Sequence, residues 1–218
     1  MTSDPQSGQK PKHNDRMALW MLLVVVVVTA GVFFWTSSSY QLDNATERTH
    51  VDGQGHLHVL GVTLGKTTLK QAERILKSKS DVALYIYPQE HPKAGLKLEA
   101  FFPAIADHTK VVLLLDLDDK ALKEIEARAT IPHLYPDKVA RMNLAPGDVR
   151  HARSATVREL TLIPNLTISA ETLKARFGEP DRVQSLDKDR DEYIYDAIGL
   201  NAVISKDAPP VLHFANPG

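Results

Sequence analysis

The chain alternates between two regimes of hydrophobic patterning. From Met17 to Trp35 every position is uncharged and nearly all are apolar, with no polar face at any helical spacing. From His56 onward, short apolar runs alternate with turn residues. His56–Leu64 reads as a strand ending near Gly65. Leu69–Leu76 reads as a helix capped by Thr67 or Thr68, with Leu69, Ala72, Ile75 and Leu76 on its apolar face. Three strands follow, Val82–Tyr87, Leu96–Phe102 and Val111–Leu117, and then a helix over Lys120–Ala129. Pro132, Pro136, Pro146 and Gly147 break Ile131–Arg150 into loops around one short strand, Val139–Asn143. Ser154–Ile163 is a strand. Ala170–Phe177 is a helix with Ser169 at its N-cap, Glu171 in its first turn and Gly178 as its stop. Glu192–Tyr195, Leu200–Ser205 and Val211–Phe214 complete the strands.

The first regime predicts a transmembrane helix over residues 17–36. At 1.5 Å per residue the apolar run extends roughly 28 Å, close to the bilayer's hydrocarbon thickness. Trp20 and Trp35 stand near its ends, where interfacial aromatics belong. Lys10, Lys12 and Arg16 precede it, whereas Asp43, Glu47 and Asp52 accompany the first later cation, Arg48. That asymmetry predicts a cytoplasmic N-terminus and a periplasmic domain at the bacterial inner (plasma) membrane. Two alternatives stay open: a buried core helix, and cleavage after Ala30 at the small-residue site Val28-Thr29-Ala30.

The predicted organisation is a disordered cytoplasmic tail (1–16), the spanning helix (17–36), a tether (37–54) and two α+β units (55–130 and 131–218). The fold class is α+β, an N-terminal transmembrane helix followed by two short-helix-on-antiparallel-sheet units. The two units repeat one order, a capped short helix and then three strands. Val62-Thr63-Leu64 and Thr68-Leu69-Lys70 echo Leu166-Thr167-Ile168 and Thr172-Leu173-Lys174.

Within the second unit, Ile168-Ser169, Leu173, Phe177-Gly178-Glu179-Pro180, Tyr193-Ile194-Tyr195 and Gly199-Leu200 form a series. It resembles the small outer-membrane-assembly lipoproteins of the β-barrel assembly machine. The resemblance implies a helical pair packed on a small antiparallel sheet, and a tandem version is similar to the β-lactamase inhibitor protein. Its motifs are structural and transfer no catalytic residue. The family is held by a lipidated cysteine, whereas this chain has no cysteine at all.

Composition narrows the function classes. Formal charge is −1, so no basic field recommends nucleic acid as a partner. The absence of cysteine removes disulfides, thiolate zinc sites and cysteine nucleophiles. Gly61-Val-Thr-Leu-Gly65-Lys66-Thr67 lacks the spacing of a phosphate loop, and no nucleotide is expected. His56 and His58 share a strand face and, with His50, Asp52 or His91, carry imidazole and carboxylate groups of the type that binds zinc or copper. The simpler reading is a pair of exposed edge-strand histidines. Asp116, Asp118 and Asp119 could supply oxygens to Ca²⁺ or Mg²⁺, but Asp118 or Asp119 as a helix cap explains them more economically. Lys188–Glu192 reads as a solvated hairpin or loop. No catalytic, cofactor or metal set emerges. Tyr85/Tyr87 and Tyr193/Tyr195 are same-face pairs, and a pair turned to water marks a partner surface. The expectation is therefore a membrane-anchored protein-interaction module with an envelope protein partner and no enzymatic activity. The alternative is an envelope enzyme, or a ligand- or metal-binding domain, with a cleft between the units.

Overall fold

A computed structural model of the chain describes residues 49–105 and 108–218. The tail, the spanning segment and most of the tether predicted from the sequence lie outside the described residues. Among the described residues, no helix is long and apolar enough to cross a membrane.

The described chain is α+β. Its elements are β1 (His50–Val51), β2 (Leu57–Val59), β3 (Val62–Thr63), α1 (Leu69–Ile75), β4 (Asp81–Tyr87), β5 (Gly95–Phe102), β6 (Lys110–Leu115), α2 (Asp119–Arg128), β7 (Thr130–Leu134), β8 (Ala140–Asn143), α3 (Pro146–Ala152), β9 (Val157–Ile163), α4 (Ala170–Phe177), β10 (Arg182–Asp187), β11 (Arg190–Tyr195), β12 (Leu200–Ser205) and β13 (Val211–Ala215). A 3₁₀ turn, Asp196–Ile198, joins β11 to β12. β1–β3 form a small sheet; the other ten strands form one antiparallel sheet in the order β10-β11-β12-β13-β9-β6-β5-β4-β8-β7. The boundary expected at residues 130 and 131 falls inside β7, and the large sheet runs continuously past it.

Two adjacent cross-strand rows explain the layering, because neighbouring residues on a strand point to opposite faces. One row reads Tyr195–Leu200–Phe214–Leu160–Leu113–Ala100–Val82. All of it is buried, in the same core as Leu69 and Ala72 of α1, Leu122 and Ile125 of α2, Ala152 of α3 and Leu173 of α4. The small sheet adds Leu57, Val59, Val62 and Leu64 to that core. Four helices and the small sheet therefore cover one face. The next row reads Ile194–Asn201–His213–Thr161–Val112–Phe101–Asp81 and belongs to the other face. None of its members joins the core; all are half-buried or exposed.

Local chemistry sets the element ends. Thr68 and Gln71 form a capping box on α1; Asp118 Oδ1 accepts the Ala121 N–H at 2.7 Å on α2; Ser169 caps α4. Gly178, at φ 87°, stops α4. Several elements depart from the sequence reading. The strand expected over His56–Leu64 is a hairpin, β2–β3, turned at Leu60 (φ 53°) and Gly61 (φ 80°). Pro146 opens α3 from its first turn instead of breaking the region. β7 forms where a loop was expected, and the fully exposed edge strand β10 occupies residues to which the sequence reading assigned no element. Ile75, expected on the inner face of α1, is 41% exposed, whereas Leu69 and Ala72 are buried.

Candidate functional site

The predicted histidine cluster is a locked turn. Asp52 Oδ1 accepts the N–H groups of Gln54 (2.8 Å) and His56 (2.9 Å), and its Oδ2 lies 3.2 Å from His58 Nε2. The His56 N–H above all holds the Asp52 carboxyl well below the usual carboxylate range, with help from Gln54, His58 and Lys66. His58 Nδ1 is 3.0 Å from Thr63 Oγ1, its cross-strand neighbour, so both ring nitrogens are engaged. The His50 ring stacks on His58 at 4.5 Å. His58 thus has no free lone pair for a metal unless one of these bonds breaks. His56 enters the arrangement through its backbone. His91 lies in the β4–β5 connection, 4.6 Å from the Tyr87 ring. Among the described residues, no group of three or more His, Asp or Glu could hold a metal ion. Asp118 is occupied as the α2 cap, and the Asp116 backbone N–H bonds the Thr156 carbonyl. Lys66, of the loop with phosphate-loop overtones, donates to Gln54 Oε1 at 2.6 Å.

Two hollows carry mixed side chains. One lies against α1 and is lined by Lys66, Thr67, Gln71, Arg74 and Ile75. The other, between α2 and α3, brings Glu124, Arg128, Asp148 and His151 together. In the latter the Arg128 guanidinium clasps Asp148 through Nε (3.1 Å) and Nη2 (2.8 Å), and this clasp holds the Asp148 carboxyl below its ordinary value. Their charges are spent on each other.

The face of the large sheet left uncovered by the described elements is the most extended candidate surface. Tyr193 and Tyr195 point into the core beside Phe177, while Tyr85 and Tyr87 lie on the uncovered face with ring centroids 6.1 Å apart. The apolar centre of that face is Phe101, Val112 and Leu114, with Ile194 and Val203 toward β10. Polar groups interrupt it and are mostly held in place. Tyr87 Oη donates to Glu99 Oε1 at 2.9 Å, and Lys93 Nζ approaches the same carboxylate at 3.8 Å and the Tyr87 ring at 5.9 Å. Arg141 bridges Asn143 (2.7 Å) and Asp81 (2.6 Å). Thr161 Oγ1 and His213 Nδ1 are 3.1 Å apart, and His213 Nε2 lies 3.4 Å from Glu159 Oε2. Burial pushes the His213 imidazole below its ordinary pKa despite the Glu159 charge. The Tyr85/Tyr87 pairing was visible in sequence. The rest of the face was not, because Val112, Phe101 and Ile194 read as ordinary strand interior until the register places them.

These features define a class: an α+β domain whose sheet is covered on one face and carries a preordered aromatic–polar surface on the other. No protein-family model matches the chain, and no curated protein matches its sequence. Among solved structures, a DUF4309 family protein (YjgB) from Bacillus subtilis is similar at 13% identity, covering 79% of this chain and 91% of that one with a TM-score of 0.38. A likeness at that level carries no argument about fold or role.

Proposed function

We propose that the chain is a membrane-anchored protein-interaction module of the cell envelope, with residues 17–36 as anchor and the uncovered sheet face as the partner surface. The single observation behind the partner surface is the row Ile194–Asn201–His213–Thr161–Val112–Phe101, which lies outside the core. Half-buried apolar side chains flanked by hydrogen-bonded polar groups are the composition of interface centres, and ordered side chains lose little entropy on binding. Glu159 and Glu192 border the apolar centre on the β9 and β11 side, and Lys93 and Arg141 on the β4 side, which fits a folded protein presenting an apolar patch with a rim of both charges. The resemblance of the second half to assembly-machine lipoproteins, the uncharged run Met17–Trp35 and the flanking charge asymmetry support an envelope location with the domain in the periplasm.

The test places a photo-crosslinking residue at Val112 or Phe101 in the full chain expressed in cells, with Glu124 on α2 as control. A discrete adduct from the sheet positions and none from Glu124 supports the reading. No reproducible adduct, or equal adducts from Glu124, overturns it. The alternative, a ligand site between the two halves, has in its favour the hollow between α2 and α3. A thermal shift by a small anion that disappears in Arg128→Ala would promote it.

A further inference from the structure

We propose that the outer face of α1 is a docking surface for an anionic lipid bilayer, seating the domain on the membrane that anchors it. Over residues 66–79 the chain carries Lys66, Lys70, Arg74, Lys77 and Lys79 against one carboxylate, Glu73, although its overall formal charge is −1. Glu73 does not neutralise the outer face. It is turned inward, 6% exposed, and held by Ser80 (N–H at 3.2 Å, Oγ at 3.1 Å), Arg153 at 3.5 Å and Lys79 at 3.8 Å. Lys70 and Arg74, at i and i+4, share one face of α1, and Lys77 follows the C-cap Leu76 at φ 50°; all three are exposed. None of the three forms an ion pair among the described residues.

Beside these cations stands Ile75, 41% exposed, over the open hollow bordered by Lys66, Thr67, Gln71 and Arg74. An apolar tip flanked by Arg74, and by Lys66 (which also reaches Gln54 at 2.6 Å and Asp52 at 3.8 Å), suits the headgroup boundary, where the tip enters the acyl edge and the cations remain with phosphates. Lys66 and Arg74 border the hollow while Lys70 and Lys77 stand outside it, a spread that matches a charged plane better than a single gripped phosphate. Reach adds to the argument. Residues 37–48 extend at most about 43 Å, so a domain anchored through residues 17–36 stays within that reach of the bilayer, and even weak affinity of one face for lipid suffices to seat it. The proposal rests on the anchored reading above.

The test uses the full chain, whose lack of cysteine allows one label. Ile75→Cys carrying an environment-sensitive fluorophore is reconstituted into phosphatidylcholine vesicles without or with about 30 mol% phosphatidylglycerol. Expected is a blue-shifted, several-fold brighter emission only with phosphatidylglycerol, reversed by about 0.5 M salt and abolished in Lys70→Gln/Arg74→Gln/Lys77→Gln. Identical emission in both vesicles, or insensitivity to the triple substitution in protein that unfolds at the unaltered temperature, overturns the proposal. Alkaline extraction of the same vesicles reports the anchor separately. A chain that resists extraction yet shows no lipid-dependent emission fails only the docking surface. A chain that is extracted fails the anchor.

Discussion

Tyr87 donates its hydroxyl to Glu99 Oε1 at 2.9 Å, on the face of the sheet that none of the described helices covers. Glu99 is 7% exposed, so this bond and Lys93 satisfy a carboxylate with little water around it. Burial first, and the Glu99 charge second, push the Tyr87 phenol well above its ordinary value of 10.0. A folded-state pKa raised in this way favours the protonated phenol. Its contribution to stability is complete below pH about 10 and is lost as pH rises toward the folded value. Tyr87→Phe is expected to flatten the fall of stability in base, read by denaturant unfolding at several pH values above about 9. An unchanged fall of stability in base would remove Tyr87 from the account.

His213 faces Glu159, Thr161, Glu192 and Lys93 on the same face. Its pKa is lowered, burial being the larger cause and Glu159 opposing it. The unfolded chain therefore binds the proton more readily, and stability falls as pH drops below the ordinary value of 6.5 through the folded one. Denaturant unfolding at several pH values is expected to show a smaller acid-side slope in His213→Gln than in the unaltered chain. Equal slopes would remove His213 from the account.

Gly199 has φ 54°, and a Cβ built there would lie 1.9 Å from the Ala215 carbonyl oxygen. That carbonyl belongs to β13, whose Ala215 N–H bonds the Gly199 oxygen at 2.9 Å. The clash is with backbone and cannot be relieved by a rotamer. Gly199→Ala is expected to lower unfolding free energy by more than about 2 kcal/mol, read by chemical denaturation.

What the sequence made legible follows from how local each signal is. The caps at Thr68, Asp118 and Ser169 and the stop at Gly178 depend on neighbours a few residues away, and the side-chain patterns reveal them. Pro146 misled because proline reads as a breaker, although its fixed φ and missing N–H suit a helix's first turn. Leu60 at positive φ gives no compositional hint of the β2–β3 turn. Arg182–Asp187 carries a single apolar residue on each face, Leu186 and Val183, with no alternation to mark it, and becomes a strand through its pairing with β11. Ile75 fits a helical apolar face by spacing, yet a seven-residue helix meets the core over too short a length to bury it. The candidate surface was least legible. The row through its centre draws on six strands, and only the register joins Ile194 to Phe101.

Val112 and Leu113 are neighbours on β6 with opposite assignments, and they separate folding from binding. Leu113 is fully buried between Ala100 and Leu160 in the covered core. Leu113→Ala is expected to lower unfolding free energy by about 2–5 kcal/mol, the sum of lost transfer energy and a residual cavity. Val112 is half-buried between Phe101 and Thr161 on the uncovered face and lies outside that core. Val112→Ser removes apolar contact area without opening a cavity, so a loss of no more than about 1 kcal/mol is expected. If the uncovered face binds a protein, Val112→Ser nevertheless weakens capture from a crosslinker placed at Phe101, because small losses at a desolvated interface centre are felt in full. Leu113→Ala, tested where it remains folded, leaves that capture unchanged. Capture that tracks stability in both variants, instead of tracking the face, would assign the surface no binding role.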